Sequence, residues 1–265
     1  MTHLADTDVL EFTKRVARGA GEVLLKYWGG KLTRQIKSGP HDFATEADFA
    51  AEKLIVEQLT KEFPDDDIVA EESGKHEVGK SPYTWLVDPL DGTWNFANDV
   101  DNFGVMIARA EGDTIVLGVV LNPKKRQLAW ARRGSGAYLN NAKVLIESRT
   151  NFEAVKPVLE KMPALERAEQ MIWLREQLLE ANLIKTTRSA SENALAALRL
   201  NQDLHFSTRP GQVWDFAATS LLRAEAGLKV TNFWNQPWLW RDDPGYLAAP
   251  EALHQQIFSY LDSAH

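Results

Sequence analysis

The segment that most constrains this chain is an apolar run that leads directly into two aspartates, a proline and a glycine. It occupies residues 85–96 and reads Trp-Leu-Val-Asp-Pro-Leu-Asp-Gly-Thr-Trp-Asn-Phe. Proline stiffens the backbone between Asp88 and Asp91, and the glycine permits a tight turn, so both carboxylates and the Leu90 carbonyl can face one point. Oxygen ligands that converge in this way suit Mg²⁺. The segment therefore predicts a strand that ends at a metal site.

The residues that follow the two aspartates favour a bound anion. Backbone N–H groups and a hydroxyl at Gly92 and Thr93 open the next segment and can face a phosphate group. Taken alone, two acids at this spacing are also typical of a turn in which one acid caps the backbone and the other is solvated. The full Asp-Pro-Leu-Asp-Gly-Thr string is far more specific than the pair of acids.

Two further segments place acids beside apolar residues. Glu71 and Glu72 follow an apolar run at residues 68–70 and precede a glycine, a pattern that is also compatible with the polar start of a loop. Asp215 lies at the start of a predicted helix, where an aspartate commonly serves as the N-cap. On the residues alone, these acids remain candidates for metal ligands or for local capping.

Composition narrows the chemistry that the chain can perform. Its 265 residues include no cysteine, so thiolate metal sites and cysteine nucleophiles are excluded, and hard cations are favoured. The net charge of −7, with both signs interspersed, leaves no broad basic surface for nucleic acid. No stretch resembles a signal peptide or a membrane span. We expect a cytoplasmic protein that binds neither nucleic acid nor membrane.

Apolar periodicity predicts helices layered on sheets, an α/β or α+β architecture. The predicted helices cover residues 7–27, 45–63, 164–182, 191–200 and 214–226, and Thr45 with Asp48 forms a capping-box pattern at the second. The predicted strands cover residues 67–70, 84–87, 104–109, 114–122, 184–187, 203–208 and 229–233, with a hairpin turn at 111–113. The polar stretch 147–156 is the candidate boundary between two lobes.

These motifs together resemble the inositol monophosphatase family, lithium-sensitive and Mg²⁺-dependent phosphatases related to fructose-1,6-bisphosphatase. The resemblance covers nearly the whole chain and rests on Asp48, Glu71-Glu72, Asp88 to Thr93, Trp214-Asp215 and Glu225-Ala226-Gly227. It implies a layered αβαβα sandwich built as one continuous phosphatase unit. Its N-terminal lobe, residues 1–145, would carry most metal ligands, and its C-terminal lobe, residues 146–265, would carry Asp215 and the specificity residues.

The resemblance also implies a role for each matching residue. Two or three Mg²⁺ ions would be held by Glu71, Asp88, the Leu90 carbonyl, Asp91 and Asp215. The implied catalytic residues are Glu71, Thr93 and Asp48, with Thr93 and Glu71 orienting an attacking water. The amides of Gly92 and Thr93 would hold the phosphate. Supporting positions around the metals are implied for Lys37, Asp48 and Glu72.

The departures from the family pattern concern the substrate. Thr208 stands about where inositol-specific members carry an acid that binds ring hydroxyls, and Ser191 stands where a glycine is common and could narrow the pocket. We count Ser191, Thr208 and Asp215 with Gly92 and Thr93 as candidate phosphate or substrate contacts. The substrate thus stays open among inositol, sugar, nucleotide and amino-alcohol phosphates such as histidinol phosphate, and we predict no strong preference for inositol 1-phosphate.

The alternative to an enzyme is a non-catalytic protein. A non-catalytic protein that binds metal and phosphate as a regulator would be expected to lose a ligand, whereas every implied ligand is present here.

The family is commonly dimeric, which implies a homodimer. The six histidines show no metal-like cluster in the sequence, and the tryptophans at 234, 238 and 240 suit either a core or an interface. The expected partner is a small phosphate monoester.

Overall fold

The computed structural model describes residues 6–39, 42–147, 157–159, 187–202, 204–206, 212–241 and 246–263. Its helices are α1 (Asp6–Tyr27), α2 (Glu46–Glu62), α3 (Thr93–Phe96), α4 (Ala190–Leu200), α5 (Val213–Glu225) and α6 (Glu251–Ser263). Its strands are β1 (Arg34–Gly39), β2 (Asp42–Thr45), β3 (Asp67–Ala70), β4 (Gly74–His76), β5 (Tyr83–Asp91), β6 (Gly104–Glu111), β7 (Thr114–Asn122), β8 (Gln127–Arg132), β9 (Gly136–Leu139), β10 (Ala142–Val144), β11 (Pro157–Leu159), β12 (Leu204–Phe206), β13 (Lys229–Thr231) and β14 (Leu247–Ala249).

Helices α1 and α2 pack side by side on one face of the large sheet. The amphipathic pattern of α1 puts its apolar residues into the core, because residues three or four apart share a helix face. Helix α2 begins with the predicted capping box: Thr45 accepts from the Ala47 amide, and Asp48 accepts from the Thr45 amide. Both helix predictions are confirmed. No helix in the described part of the chain is long and apolar enough to cross a membrane.

The large sheet has eight strands in the order β10-β9-β8-β7-β6-β5-β3-β4, and only the β3–β5 pair is parallel. Strand β5 lies inside this sheet and is buried on both faces. Trp85 and Val87 point toward α1 and α2, whereas Leu86 joins the core on the opposite face. The predicted turn between β6 and β7 is confirmed, since Glu111 pairs with Thr114. Strands β8, β9 and β10 were not predicted.

The end of β5 differs from the sequence prediction in one respect. The strand does not stop at Val87 but continues to Asp91, and its pairing with β6 shifts register between Asp88 and Asp91. A shift of this kind bends the strand and redirects the side chains at its end. The two aspartates are therefore placed by an irregular strand end rather than by a loop.

Helices α4 and α5 cover the other face of the large sheet, and α5 also packs on β13 and β14. The smaller sheet has the order β11-β12-β14-β13. Within β13, Val230 packs on the α5 side and Thr231 contacts His254 of α6, so α5 and α6 lie on opposite faces of this sheet. The layers are helix, sheet, helix, sheet, helix, which confirms the αβαβα sandwich. The predicted helix at 164–182 and residues 184–186 of the predicted strand at 184–187 lie outside the described residues; Thr187 is described outside any strand.

A candidate metal and phosphate site

Three carboxylates from distant parts of the chain meet at the C-terminal end of β5. One ligand oxygen of each of Asp88, Asp91 and Asp215 lies within 4.8 Å of the others. The first two aspartates come from β5 and the third from the first turn of α5. Asp88 and Asp91 are buried, and Asp215 is half-buried. The structure therefore brings these three aspartates together, and their role as metal ligands stays a prediction.

Asp91 is held by the N-terminus of α4. The Ser189 hydroxyl and the Ser191 amide, at 2.8 Å, donate to Asp91 Oδ2, and the Ala190 amide donates to Oδ1 at 3.0 Å. Burial nevertheless raises the pKa of Asp91, while the hydrogen bonds from Ser189, Ser191 and Ala190 lower it. The helix start thus fixes the carboxylate and partly offsets the cost of burying its charge.

Asp88 is a buried acid with other acids close to it. Burial raises its pKa well above the ordinary value, and the charges of Glu71, Asp91 and Asp215 raise it further. The Leu90 amide donates to Asp88 Oδ1 at 3.0 Å, which fixes the backbone between the two aspartates of β5. Acids crowded in this way repel one another unless a cation lies among them.

Lys37 joins the two glutamates that follow β3. Its Nζ lies 2.9 Å from Glu71 Oε1 and 2.7 Å from Glu72 Oε1. Burial lowers the pKa of Lys37, but the charges and hydrogen bonds of the two glutamates outweigh it and raise the pKa. Burial raises the pKa of Glu72 to about 7, although the hydrogen bond from Lys37 lowers it. The lysine therefore stays charged and holds Glu71 beside Asp88.

Thr93 is linked to Asp48 of α2. The Thr93 hydroxyl lies 2.9 Å from Asp48 Oδ1 and 3.0 Å from the Leu90 carbonyl oxygen, and it has one proton for these two acceptors. The Thr45 amide and hydroxyl donate to the other Asp48 oxygen at 2.8 and 2.6 Å. Burial raises the pKa of Asp48 to about 6, while the bonds from Thr45 and Thr93 lower it. An oriented hydroxyl thus lies between Asp48 of α2 and the end of β5.

Asp215 does not cap α5 in the way the sequence favoured. The N-cap is Gln212, and Asp215 occupies the third helical position, where its Oδ2 accepts from the Gln212 amide at 2.8 Å. The expectation of an N-cap at Asp215 is therefore wrong by three residues. The capping-box bond instead fixes the side chain of Asp215 at the helix start, facing the aspartates of β5.

Gly92 is required at its position by conformation and by space. Its φ of 80° lies in the left-handed region, and a Cβ there would lie 2.8 Å from the Asn102 carbonyl oxygen. Asn95 then ties the segment down, because its amide donates to the carbonyls of Asn102 and Thr187. The turn that presents the Gly92 and Thr93 amides is thereby anchored from two sides.

Sequence reasoning missed two supporting residues. Glu52 of α2 accepts from the amides of Glu72 and Ser73 at 2.8 and 2.7 Å, and so holds the loop that carries Glu71. Nothing in the sequence marks Glu52, because a glutamate on a helix is commonplace. Ser189 could have been found, since Ser189 and Glu192 have the Ser-x-x-Glu spacing of a helix start.

Of two predicted substrate residues, one is described by the structure and is not placed on a pocket wall. Ser191 is fully buried, and its Oγ would lie 2.6 Å from a Cβ added to Gly104. It contacts Asp91 through its amide rather than open solvent, and a direct substrate contact by Ser191 stays a prediction. Thr208 lies outside the described residues. The buried histidines His205 and His254 take no part in the cluster.

The donor set fits a hard divalent cation. The clustered groups are carboxylates alone, with the Leu90 carbonyl beside them, and oxygen-only sets are those that Mg²⁺ prefers. Burial raises the pKa values of Asp88 and Asp91, and the neighbouring acids raise that of Asp88. A cation at their centre would balance the clustered negative charges, so the residues present and Mg²⁺ are compatible.

The αβαβα sandwich, with carboxylates of β5 and α5 brought together at one point, defines the class of protein. The sequence profile of the Inositol monophosphatase family matches residues 5–265, and the chain belongs to this family. The "Fructose-1,6-bisphosphatase/inositol-1-monophosphatase" of Thermotoga maritima is 32% identical over 228 residues, which cover 85% of each chain. The "Nus factor SuhB" of Escherichia coli K12 is 34% identical over 231 residues, again 85% of each chain. The crystal structure of the extragenic suppressor protein SuhB from Bartonella henselae superimposes with a TM-score of 0.85 at 30% identity, over 97% of this chain and 100% of the other.

Proposed function

We propose that this chain hydrolyses small phosphate monoesters with Mg²⁺ held by Glu71, Asp88, the Leu90 carbonyl, Asp91 and Asp215. The observation that carries the proposal is the convergence of Asp88, Asp91 and Asp215 within 4.8 Å, although Asp215 is distant in sequence from the two aspartates of β5. Membership of a phosphatase family supports it. Two or three ions are expected from the family resemblance.

Hydrolysis of a phosphate monoester first requires that the negative charge of the phosphate be neutralised. A phosphate monoester dianion repels hydroxide, and bound Mg²⁺ would neutralise that charge, make water more acidic and stabilise the leaving oxygen. Thr93, which Asp48 holds in place, and Glu71 would orient the attacking water. The Gly92 and Thr93 amides would bind the phosphate oxygens. No covalent intermediate with the protein is required.

The substrate class follows less directly than the reaction. Relatives carry the names of fructose-bisphosphate and inositol phosphatases, which favours a phosphorylated polyol or sugar. Thr208 supplies a neutral hydroxyl where inositol-specific members have an acid, so ring hydroxyls would lose a charged partner worth about 1–3 kcal/mol. We therefore expect inositol 1-phosphate to be one substrate among several, with sugar and amino-alcohol phosphates such as histidinol phosphate as the alternatives.

A non-catalytic regulator is the competing proposal. It is supported by relatives at about one-third identity that carry the name Nus factor, a name that describes no hydrolysis. In that case the acidic cluster would bind metal without turnover. The homodimer, the cytoplasmic location and the division of the chain near residue 145 stay predictions beside both proposals.

Phosphate release separates the two proposals. The full chain is assayed with inositol, sugar, nucleotide and amino-alcohol monophosphates in Mg²⁺ and in excess chelator. We expect turnover in Mg²⁺ alone, a loss of at least about 10²-fold in Asp88→Asn, and inhibition by lithium. Asp113→Asn is the control, because Asp113 is an exposed acid that pairs with Arg241 far from the cluster. Full turnover in chelator would exclude the proposed site, and absence of turnover on every ester would favour the regulator.

A further inference from the structure

We propose that Arg223 forms a buried binding site for a small monovalent anion such as chloride, between helix α5 and the smaller sheet. The inference does not depend on the phosphatase activity. Arg223 is 1% exposed, among the most buried large side chains of the described chain. A guanidinium is always charged in proteins, so its burial calls for a compensating group.

Only one edge of the Arg223 guanidinium is satisfied. Nη1 donates to the Tyr246 hydroxyl and, at 3.3 Å, to the Thr219 carbonyl. Nε and Nη2 are buried and have no hydrogen-bond partner among the described residues. Buried donors of charged groups are rarely left unpaired, because their desolvation costs several kcal/mol or more. The unpaired Nε and Nη2 hydrogens lie on the same side of the planar group and form a two-pronged donor.

Arg109 shows in the same molecule what this edge binds. Its Nε and Nη2 lie 3.1 and 2.7 Å from a single acceptor atom, Oδ2 of Asp66. The edge formed by Nε and Nη2 of Arg109 therefore binds one negatively charged atom through two hydrogen bonds. Arg223 offers the same two nitrogens in a more buried position, but no described carboxylate meets them.

The surroundings of Arg223 are polar without being acidic. The described side chains beside it are Thr219, Tyr246 and His205, and the His205 ring nitrogens also have no hydrogen-bond partner there. Burial, and then the charge of Arg223, lowers the pKa of His205 well below its ordinary value, so this ring is neutral and offers one N–H. The C-terminal end of α5 contributes only a partial negative charge. A bound anion would accept hydrogen bonds from Nε and Nη2 of Arg223 and would balance its positive charge.

The position and donor geometry of the Arg223 guanidinium point to a small ion. The site lies inside the layer between α5 and the sheet, where Phe216 and Trp238 pack around the Tyr246 ring. A halide would present one negatively charged atom to this edge, as Asp66 Oδ2 does to Arg109. Water and a carboxylate from another part of the chain are the competing acceptors, and the experiment distinguishes them.

The first test measures the melting temperature of the full chain as sodium chloride replaces sodium gluconate at constant ionic strength. Binding to the folded state alone should raise Tm by at least about 2 °C between 1 and 300 mM chloride. Arg223→Met should abolish the rise, and Arg15→Met, which changes an exposed arginine of α1, should leave it intact. An identical chloride response in Arg223→Met, or none in the unmodified chain, would overturn the proposal.

The second test does not require a variant that folds. Crystals of the unmodified protein are grown or soaked in sodium bromide, and anomalous diffraction locates the bromide ions. We expect a peak within about 3.5 Å of Arg223 Nε and Nη2, a usual distance for a charge-assisted contact to a large anion. A water molecule or a carboxylate oxygen at that position, with no anomalous signal, would show that the guanidinium is compensated in another way.

Discussion

The Ser189 hydroxyl donates a hydrogen bond to the carboxylate of Asp91, and this bond joins the start of α4 to the end of β5. The same hydroxyl accepts from the Glu192 amide at 3.0 Å, so Ser189 is at once the N-cap of α4 and a support for Asp91. The Asp91 carboxylate and the Glu192 amide thereby share the hydroxyl of Ser189, which lies 98 positions after Asp91. The orientation of an acid in the proposed metal site depends on how a helix begins in the second half of the chain.

Replacement of Ser189 by alanine should weaken both functions of this hydroxyl. Loss of an N-cap costs about 1 kcal/mol, which should lower Tm in chelator by a few degrees. Asp91 should also lose its fixed orientation, and we expect the Mg²⁺ affinity, measured by calorimetry, to fall by about 10-fold, as for other groups that orient a metal ligand. Ser189→Thr keeps the hydroxyl and should retain most of both. An unchanged Mg²⁺ affinity in Ser189→Ala would contradict the positioning role.

Asp91→Asn should separate charge from local hydrogen bonding. From the sequence alone, this substitution is expected to hold or raise stability without metal, because it relieves repulsion. The structure revises that expectation, since both Asp91 oxygens accept bonds from α4 and an amide NH₂ would face a donor. We expect Tm in chelator to fall modestly, with turnover in Mg²⁺ reduced by about 10²-fold or more. Near-normal turnover per folded molecule would overturn the assignment of Asp91.

The metal-free protein should lose the stability contributed by its buried protonated acids as pH rises from about 4 to about 7. Burial raises the pKa of Asp48 to about 6 and of Glu72 to about 7, and it raises that of Asp88 well above the ordinary value. A raised pKa in the folded state means that the stabilising protonated form is complete below about pH 4 and is lost as pH rises through the folded pKa. Each such group contributes up to about 1.4 kcal/mol per pH unit.

The measurement is Tm between pH 5.5 and 7.5 in chelator and in Mg²⁺. We expect Tm to fall with pH in chelator, and the stabilisation by Mg²⁺ to grow with pH because its ligands must be deprotonated. Asp88→Asn should flatten the slope in chelator. Equal slopes with and without Mg²⁺ would show that the crowded acids do not form its site.

At acidic pH, protonation of the buried His254 ring should lower the stability of the folded chain. Its ring is buried between α6 and β13, with Nε2 2.7 Å from the Thr231 hydroxyl. Burial lowers the pKa of His254 to about 4, with Lys229 lowering and Glu251 raising it slightly. The contribution of this neutral ring is complete above about pH 6.5 and is lost as pH falls toward 4, on the order of 3 kcal/mol over that interval.

A comparison of His254→Gln with the unmodified chain isolates this residue. Tm of the variant should fall less steeply between pH 6.5 and 4.5, because its amide does not titrate. His76→Gln, at an exposed position of β4, should keep the original slope. Parallel curves for His254→Gln and the unmodified chain would exclude His254 as a source of acid sensitivity.

Local sequence patterns predicted the parts of the fold that depend on local physics. Helix α1 and the capping box of α2 follow from apolar spacing and from Thr45 with Asp48, which act within one helical turn. The strand end at Asp91 was misjudged, because its continuation depends on pairing with β6. No local pattern reports which strand lies beside which.

Sequence patterns likewise identified only part of the candidate site. The acids were identified by their motifs, but their supports come from elsewhere in the fold. Glu52 holds the loop after β3 from a helix 20 positions earlier, and Ser189 reaches Asp91 from 98 positions away. The sequence suggested that Asp215 was an N-cap because aspartate favours that position; the N-cap of α5 is instead Gln212, three residues earlier. Such contacts arise only once the layers have packed.

The strongest test of the proposed chemistry is Thr93→Val, which keeps the shape of the side chain and removes only its hydroxyl. That hydroxyl lies 2.9 Å from Asp48 Oδ1, and Asp48 keeps two bonds from Thr45 in the variant. The fold and the acidic cluster should therefore persist, and Mg²⁺ should still raise Tm. Turnover should fall by about 10²-fold or more with little change in KM, because an oriented proton-handling group acts mainly in the transition state.

The pH profile of Thr93→Val gives a second, independent readout. The Thr93 hydrogen bond lowers the pKa of Asp48, so its loss should raise that pKa and move the acid limb of any residual activity to higher pH. Thr93→Ser should restore turnover to within about 10-fold, since it returns the hydroxyl. Thr13→Val is the matched control, because Thr13 is a buried threonine that bonds only within α1. Turnover in Thr93→Val equal to that of Thr13→Val would exclude Thr93 from the reaction, whatever metal the carboxylates bind.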